Sequence, residues 1–532
     1  MKRGGWQDKT NKSLTPPSFP HRKALITEQT MKTFTRRDFL KTTALGAGAF
    51  GLGPLASLRA AGANEDIRVA QIGFHGQGGS HIRALTAMKG VRLVALCDVD
   101  HHVLDAEARR LGGDIQKYTD IRKLLENKDV DAVSIAVPNH WHALATVWAC
   151  QAGKDVYVEK PACHNLFEGR KMVEAARKYK RIVQTGTQCR SSVGLQEAAQ
   201  YVREGKLGKL VLARGFCYKP RKSIGLVEGP QTVPDYIEYD LWCGPAPNDP
   251  PRRNGSSGPV HYDWHWFWAY GNGDYGNQGP HQVDICRWFL GEQAIAPFAM
   301  ALGGRLGYRD SAETPNTLIV YQGYKTPMIF EVRGLPQNKA AQERWSSMDK
   351  FKGVGIGNVI ECEHGYVVIP SYTEATIHDK DGKMITRFPT ASRKAADDTK
   401  TPTGLQAESG GHHGNWIAAI CARKPGLLHA EILEGHLSAG LVHTGNISYR
   451  LGARKPPQEI KEALKDNKGL AEAFDRMAAH LDANGVDISQ DRLQLGLPLR
   501  FDPRREQFTD NAQANEMRTR PYRAPFVVPA KV

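Results

Sequence analysis

Residues 67–79 read I-R-V-A-Q-I-G-F-H-G-Q-G-G, an apolar run that enters a cluster of glycines. Ile67–Ile72 predicts a buried strand, and the residues from about Ser80 predict a helix. This order is the context of a dinucleotide fingerprint, because glycines permit a tight turn and let backbone amides reach a pyrophosphate. The match to G-x-G-x-x-G is imperfect, since His75 stands at the second glycine position and Gly76 follows it.

The next apolar run, Val91–Cys97, predicts a second strand that ends at Asp98. Asp98 comes about 20 residues after Gly78, where such folds carry an acid that accepts both ribose hydroxyls. A carboxylate there also repels a 2′-phosphate, so the sequence favours NAD over NADP. The alternative role for Asp98 is to cap the helix that follows the strand.

The alternation of strands and helices continues to about residue 188. Asp131–Val137 predicts a buried strand that ends at Pro138, and Ala143–Gln151 predicts the helix after it. Strands that alternate with helices imply right-handed crossovers and a parallel, doubly wound sheet.

The stretch Asp155–Pro161 reads D-V-Y-V-E-K-P. Pro161 cannot continue a central strand, so Glu159 and Lys160 should lie at the carboxyl end of a strand, where open parallel sheets bind ligands. An isolated E-K-P is weak evidence, and a solvated loop lysine is the alternative. Its place within the predicted sheet favours a functional lysine.

Composition excludes several classes of protein. The chain has 532 residues, enough for two or more domains, and a net charge of +15. Residues 1–63 hold eleven Lys/Arg against three Asp/Glu, so about +7 remains for the rest, without a dense basic run. Nucleic acid is therefore not an expected partner. The nine cysteines are scattered singly, which argues against a zinc framework or a disulfide scaffold.

Thr35–Lys41, T-R-R-D-F-L-K, resembles a twin-arginine export motif. A Gly/Ala-rich apolar run follows and leads to Ala61-Gly62-Ala63, a small-residue cleavage site. We therefore expect residues 1–63 to be a leader, with the twin-arginine translocase as partner and a periplasmic or otherwise exported location. Met31, just before the motif, is an alternative start to Met1. An ordinary N-terminal helix is the alternative for the run.

The pattern changes from about residue 189. Residues 220–259 are irregular, and an aromatic run, His261–Tyr270, follows with Trp264 and Trp266. Such a run predicts either a local core or a platform for sugar rings. After Pro280 a helix would bring His281 and Asp284 onto one face. No third ligand has matching spacing, so we predict no metal site.

Residues 64 to about 190 resemble the N-terminal domain of the Gfo/Idh/MocA oxidoreductases, the glucose–fructose oxidoreductase and inositol dehydrogenase family. The resemblance rests on the loop Gly73–Gly78, on Asp98, on Pro138–His142 and on Glu159–Pro161. It extends more weakly to about residue 450, through Gly276–Trp288 and His412–Trp416.

The resemblance implies a fold and a domain order. The fold is a Rossmann sheet followed by an α+β domain with an open mixed sheet. The domains are a leader at 1–63, a NAD-binding domain at 64–188, a substrate and oligomerisation domain at 189–450, and a C-terminal helix with an extended tail at 451–532. Family members are commonly dimers or tetramers, so a homo-oligomer is expected.

The resemblance also implies roles for individual residues. Lys160 would contact nicotinamide and substrate hydroxyl, and His281 would be the catalytic histidine. Asn277 stands where many sugar dehydrogenases of the family carry an aspartate, which puts a His–Asp proton relay in doubt. The expected cofactor-binding residues are Gly73, His75, Gly76, Gly78, Asp98, Pro138, Asn139, His140, Glu159 and Lys160. The expected substrate-binding residues are Trp264, Trp266, Asn277, Asp284 and His413.

The expected function is an exported enzyme that transfers a hydride between NAD and a hydroxyl of a sugar or polyol. The cofactor should be tightly bound, because no free dinucleotide pool is expected outside the cytoplasm. One alternative is a NAD-dependent glycoside hydrolase that acts by transient C3 oxidation and elimination. A second is a non-catalytic sugar-binding protein, for which His75 and Asn277 are the only hints.

Overall fold

A computed structural model describes residues 66–255, 258–390, 411–489 and 493–532. The predicted leader at 1–63 lies outside the described residues, so the expectation of a twin-arginine motif stays a prediction. Among the described helices, none is long and apolar enough to cross a membrane.

The N-terminal domain is built on a six-stranded parallel sheet with strand order 3-2-1-4-5-6. This confirms the Rossmann arrangement that the alternating pattern predicts. The strands are β1 (Ile67–Ile72), β2 (Val91–Cys97), β3 (Gln116–Tyr118), β4 (Ala132–Ile135), β5 (Asp155–Val158) and β6 (Val183–Thr185). The helices are α1 (Gln77–Thr86), α2 (His101–Leu111), α3 (Ile121–Glu126), α4 (Asn139–Gln151) and α5 (Leu166–Lys178).

Two of these helices begin earlier than the sequence pattern predicts. α1 begins at Gln77 rather than near Ser80, and α4 begins at Asn139 rather than at Ala143. Pro138 precedes α4 and has an extended conformation, which lets the helix begin immediately after it. Asn139 therefore lies in the first turn of a helix and not in a loop.

The second sheet is mixed and has twelve strands, with a central order 14-13-12-11-7-10-9-8-16-15 and with β17 paired to β8. β7 and β10 are parallel, and the other pairs of this sheet are antiparallel. The strands are β7 (Leu210–Tyr218), β8 (Phe298–Gly304), β9 (Thr317–Gln322), β10 (Met328–Arg333), β11 (Ile356–Cys362), β12 (Gly365–Ile369), β13 (Ala375–Asp379), β14 (Met384–Phe388), β15 (Ala453–Lys455), β16 (Leu493–Leu495), β17 (Leu499–Asp502) and β18 (Gln507–Phe508).

Not all helices of this half pack on the mixed sheet, since the helix Gly411–Ala422 packs against β5 of the Rossmann sheet. The helices are α6 (Val193–Arg203), α7 (Tyr239–Cys243), α8 (Gly273–Asn277), α9 (Gly279–Leu290), α10 (Lys339–Gln342), α11 (Gly411–Ala422), α12 (Ile432–Arg450), α13 (Pro457–Leu464), α14 (Lys468–Ala483) and α15 (Ala512–Glu516). α12 contributes to two cores, because Ile432 and Ala439 pack in the Rossmann core while Leu441 and Val442 pack against the second sheet.

The C-terminal residues correct the expectation of one helix and an extended tail at 451–532. Two helices, α13 and α14, cover one face of the mixed sheet, where Phe474 and Met477 pack with Ile319 and Ile329. β15 and β16 lengthen that sheet, and Phe526 lies in the Rossmann core. The apolar stripe of α14 is buried against the mixed sheet, and Phe526 is buried in the Rossmann core. Residues 451–532 therefore contribute to both domains.

An irregular stretch of the second half reaches the carboxyl edge of the Rossmann sheet. Ile237 forms an antiparallel bridge with Asp100, just beyond the end of β2. The Glu238 backbone amide donates to the Val99 carbonyl at 2.9 Å. We call residues 236–255 together with 258–265 the strap. The sequence predicts an irregular stretch here, but neither α7 within it nor the surface that it covers.

Candidate active site

A cavity of about 610 Å³ lies between the carboxyl ends of the Rossmann strands, the strap and the start of α9. It brings together most of the residues that the sequence singles out. Those lining it are Gly73, His75, Gly76, Asp98, Pro138, Asn139, Glu159, Lys160, Trp264, Asn277 and His281.

The glycine loop that forms one wall requires glycine at two positions. Gly73 has φ +73°, and a Cβ there would lie 2.8 Å from the Ala136 carbonyl oxygen. A Cβ on Gly78 would lie 2.0 Å from the carbonyl oxygen of Gly73. Gly78 therefore does not line the cavity but permits the turn that presents the loop backbone at the start of α1.

Asp98 lies at the end of β2 and is tied to the same loop. Its carboxylate accepts hydrogen bonds from the backbone amides of Phe74 and Asp100, both at 3.1 Å. Burial raises the pKa of Asp98 to about 6, although these two bonds oppose the rise. Asp100, not Asp98, caps α2 through the Val103 amide. The helix-cap alternative for Asp98 is therefore wrong.

Glu159 and Lys160 follow β5 in the wall of the cavity. Glu159 contacts His81 Nε2 at 3.1 Å and accepts the Lys160 backbone amide at 3.0 Å. Burial would raise the pKa of Glu159, but His81 and Lys160 bring it down to about 2. Lys160 Nζ donates to the Asn277 carbonyl at 3.0 Å. Burial lowers the pKa of Lys160, and the Glu159 charge opposes that shift.

His281 faces this pair from the first turn of α9. Its ring lies 5.0 Å from the ring of Tyr372, and its Nδ1 is buried with no hydrogen-bond partner among the described residues. Burial and the Lys160 charge lower the pKa of His281 to about 3. The imidazole is therefore neutral at physiological pH and can accept a proton.

Three predicted substrate residues, Asp284, His413 and Trp266, lie outside the cavity lining, which corrects that expectation. The Asp284 carboxylate is fully buried, contacts Arg190 Nε at 2.7 Å and accepts the Ser438 hydroxyl at 2.7 Å. These partners hold α9 against its neighbours. His413 stacks on Tyr157 with ring centroids 4.2 Å apart. Both side chains are occupied in packing behind the site.

His140 and Trp266 are also placed elsewhere. His140 points from α4 toward the Trp242 backbone carbonyl, 2.9 Å from its Nε2, so it anchors the strap instead of lining the cavity. Trp266 is buried beneath the Arg221 guanidinium, 4.7 Å from the ring. Of the two predicted tryptophans, only Trp264 lines the cavity.

Several lining residues were not predicted from the sequence. His265 stacks on Trp264 at 3.6 Å, and both it and Tyr262 belong to the aromatic run that was singled out. Lys219 comes directly after β7, and a lysine at the end of a strand could have been predicted to bind a ligand. Tyr372 gave no sequence signal.

His75, the departure from the glycine fingerprint, contacts the strap. Its ring stacks on His261 with centroids 4.0 Å apart, and His261 Nε2 lies 2.8 Å from an Asp100 carboxylate oxygen. The strap is therefore fastened to the glycine loop and to the residues after β2. This contact closes the cavity over the loop.

Among the described residues, no group of three His, Cys, Asp or Glu side chains could hold a metal ion. The lining carboxylates each have a partner in the protein, as Asp120 does in Arg122.

Two sequence-family matches cover both domains. Residues 67–187 match the oxidoreductase family, NAD-binding Rossmann fold, and residues 209–323 match the oxidoreductase family, C-terminal alpha/beta domain. The first match makes residues 67–187 a NAD-binding fold. The glycine loop and Asp98 fit a dinucleotide there, because the position of a Cβ at Gly76 is open and both Gly76 and the acid line the cavity.

Individual relatives match over shorter stretches. Inositol 2-dehydrogenase of Salmonella typhimurium is 28% identical over 172 residues, which cover 32% of this chain and 48% of that protein. A glycosyl hydrolase family 109 protein of Saccharopolyspora erythraea is 27% identical over 213 residues, covering 35% of this chain and 46% of that one. The chain thus spans about half the length of the relatives it matches.

An oxidoreductase domain protein from Kribbella flavida has a similar fold, with a TM-score of 0.51 at 18% identity. The similarity covers 71% of this chain and 95% of that one. Residues 67–187 and 209–323 are thus similar to the NAD-binding and C-terminal domains of the Gfo/Idh/MocA oxidoreductase family.

Proposed function

We propose that the protein is a NAD-dependent oxidoreductase that acts on a hydroxyl-bearing carbon of a sugar or polyol. One observation carries the proposal: the half-buried Lys160 ammonium and the neutral His281 share one cavity with the glycine loop and Asp98. Aromatic rings, amides and imidazoles line the same end, which suits a ligand with many hydroxyls. When bound, NAD supplies a hydride acceptor.

The proton chemistry follows from these two side chains. His281, neutral and without a partner at Nδ1, can accept the proton of a substrate hydroxyl. Lys160 can donate a hydrogen bond to the same oxygen as negative charge develops on it. Asn277 cannot take a proton, so we assign it to holding the Lys160 ammonium through its backbone carbonyl.

The test uses the full chain purified from the cytoplasm. The protein is denatured, any released dinucleotide is identified, and native protein is assayed on a panel of sugars, polyols and aryl glycosides. Stoichiometric NAD(H) and a keto-sugar product support the proposal. A protein that neither contains NAD nor takes it up when supplied would refute it.

We further propose that the cofactor stays bound between turnovers. The strap covers the cavity and is fastened at His261 to both His75 and Asp100. Backbone bonds at Ile237 and Glu238 hold it at a second point. A dinucleotide beneath it could leave only after these contacts open, which favours slow release.

NAD affinity should fall at acid pH because of Asp98. Its pKa of about 6 means that below pH 6 the carboxyl is mainly protonated and accepts ribose hydroxyls less well. We expect about tenfold weaker binding at pH 5 than at pH 8, measured by calorimetry on dinucleotide-free protein. In Asp98→Asn the affinity should be uniformly low and nearly independent of pH over this range. An unchanged pH dependence in that variant would contradict the assignment.

Replacing two histidines, one at a time, should distinguish a residue that acts in catalysis from one that only packs near the site. His281→Ala should lower kcat about 100-fold or more, because the proton acceptor is lost. His413→Ala is the matched control, since burial also lowers the pKa of His413 to about 3 but its ring stacks on Tyr157 outside the cavity. The control should keep kcat and KM while lowering Tm. Equal losses of kcat in both variants would remove His281 from catalysis.

A glycoside hydrolase with transient oxidation remains the second candidate. The similarity to a glycosyl hydrolase family 109 protein supports it, and the closed strap suits a reaction that returns its hydride. It would use the same Lys160 and His281. Cleavage of an aryl glycoside without net formation of NADH would select this function over the first.

We also propose export by the twin-arginine route, on the sequence Thr35–Lys41 alone. Replacement of Arg36 and Arg37 by lysine should hold the protein in the cytoplasm, measured by cell fractionation. An exported double variant would contradict the proposal. The matched control is Arg59→Lys, which lies within residues 1–63 but outside the motif and is present with either start.

A further inference from the structure

One cation in the cavity has no protein partner. Lys219 lines the cavity directly after β7, and its ammonium makes no hydrogen bond or ion pair with any described residue. Its backbone is fixed, since the Lys219 amide donates to the Arg333 carbonyl at 3.1 Å. A half-buried ammonium without a counter-ion among the described residues is available to pair with a charge that a ligand supplies.

Lys219 lies at the substrate end of the cavity. Its charge lowers the pKa of Lys160 and of His265, both of which line that end. The charges acting on Asp98, at the other end, come from Asp100 and His75. Lys219 is therefore placed beside the reacting groups and away from the glycine loop that would hold a pyrophosphate.

The other cations near Lys219 already have carboxylate neighbours. Lys160 is adjacent to Glu159, which is ionised. Arg221 contacts both carboxylate oxygens of Asp274, so its charge is already paired. One positive charge, that of Lys219, remains for the ligand, and a monoanion would neutralise it.

The surroundings of Lys219 suit a ring with hydroxyls next to that anion. Trp264 offers an aromatic face, and His265 and Tyr262 line the same wall. Gln188 and Tyr372 add polar groups. We propose that the substrate is an acidic sugar, a uronic acid residue whose carboxylate pairs with Lys219 while a ring hydroxyl meets Lys160 and His281. This rests on the proposed sugar oxidoreductase function.

The test compares matched ligand pairs on NAD-loaded full-length protein. Binding of methyl glucuronide and methyl glucoside, and of the corresponding galacto pair, is measured by calorimetry, and oxidation by NADH formation. We expect the wild type to bind at least one uronide about tenfold or more tightly than its neutral partner. Lys219→Met should bring that ratio close to one, and Lys219→Arg should retain most of it.

Lys222→Met is the charge-matched control. Lys222 lies three residues further along the same segment, is exposed and does not line the cavity, so its loss should leave the ratio unchanged. A preference that survives Lys219→Met, or a wild type that prefers neutral sugars or glucose 6-phosphate, overturns the inference. If neutral sugars are oxidised without a uronide preference, only this inference fails. If no sugar of either kind binds or reacts, the proposed function fails.

Discussion

Lys160→Met should lower kcat of the NAD-loaded protein by about a thousandfold, with the bound dinucleotide retained. Methionine keeps the length and apolar stem of lysine but removes the ammonium that the Asn277 carbonyl holds at 3.0 Å. Lys160 and Lys219 are the two lysines that line the cavity in the described part of the chain, so the developing oxyanion would keep Lys219 alone. The measurement is single-turnover NADH formation together with the dinucleotide content of the purified variant.

Lys154→Met is the matched control for that variant. Lys154 and Lys160 lie at opposite ends of β5, and burial lowers the pKa of both. The Lys154 ammonium donates to the carbonyls of Asn127 and Val130, both at 2.7 Å, outside the cavity. Its removal leaves these carbonyls unsatisfied, so we expect a lower Tm with unchanged kcat.

The pKa of His281 can be measured in the same two variants, and a loss of stability alone would not change it. The Lys160 charge helps to lower the pKa of His281, so this pKa should rise toward its ordinary value in Lys160→Met and stay low in Lys154→Met. NMR titration of the imidazole measures it. A Lys160→Met protein with kcat within threefold of wild type would remove Lys160 from the mechanism.

The Rossmann half of the fold could be predicted because its information is local. β1, β2, β4 and β5 are mainly apolar runs, unlike β3, and the order of such runs with intervening helices implies a parallel sheet. The carboxyl ends of β2 and β5 then meet at one edge, which is why Asp98 and Lys160 could be assigned to one cavity in advance. The assignment of Asn139 came from the family resemblance.

The strap and the tail could not be predicted because their partners are distant in sequence. Ile237 finds its bridge partner at Asp100, and α14 finds its own on β9 and β10. The residues of each segment do not indicate which surface that segment covers. Periodicity gives the apolar face of α14 but not the sheet that buries it.

The family resemblance placed Asp284 and His413 at the substrate, and the structure places them elsewhere for a different reason. Asp284 lies one turn from His281 on α9, so spacing alone puts both near the cavity. Arg190 lies in the 3-10 turn Gln188–Ser191, and its Nε donates a hydrogen bond to the Asp284 carboxylate at 2.7 Å. Side-chain direction in a helix depends on such neighbours, and only the structure supplies them. The same holds for His413 on Tyr157.

Gly78→Ala should abolish retention of the dinucleotide, with binding about 100-fold weaker than in the wild type. The new Cβ would lie 2.0 Å from the Gly73 carbonyl oxygen, a backbone atom, so the loop would have to open and withdraw its amides from the cavity. Gly79→Ala is the matched control, because its Cβ meets nothing closer than the Phe74 carbonyl at 3.5 Å. Alanine at 79 also favours α1, so this variant should keep both Tm and dinucleotide. Equal dinucleotide content in the two variants would mean that the glycine loop does not hold the cofactor.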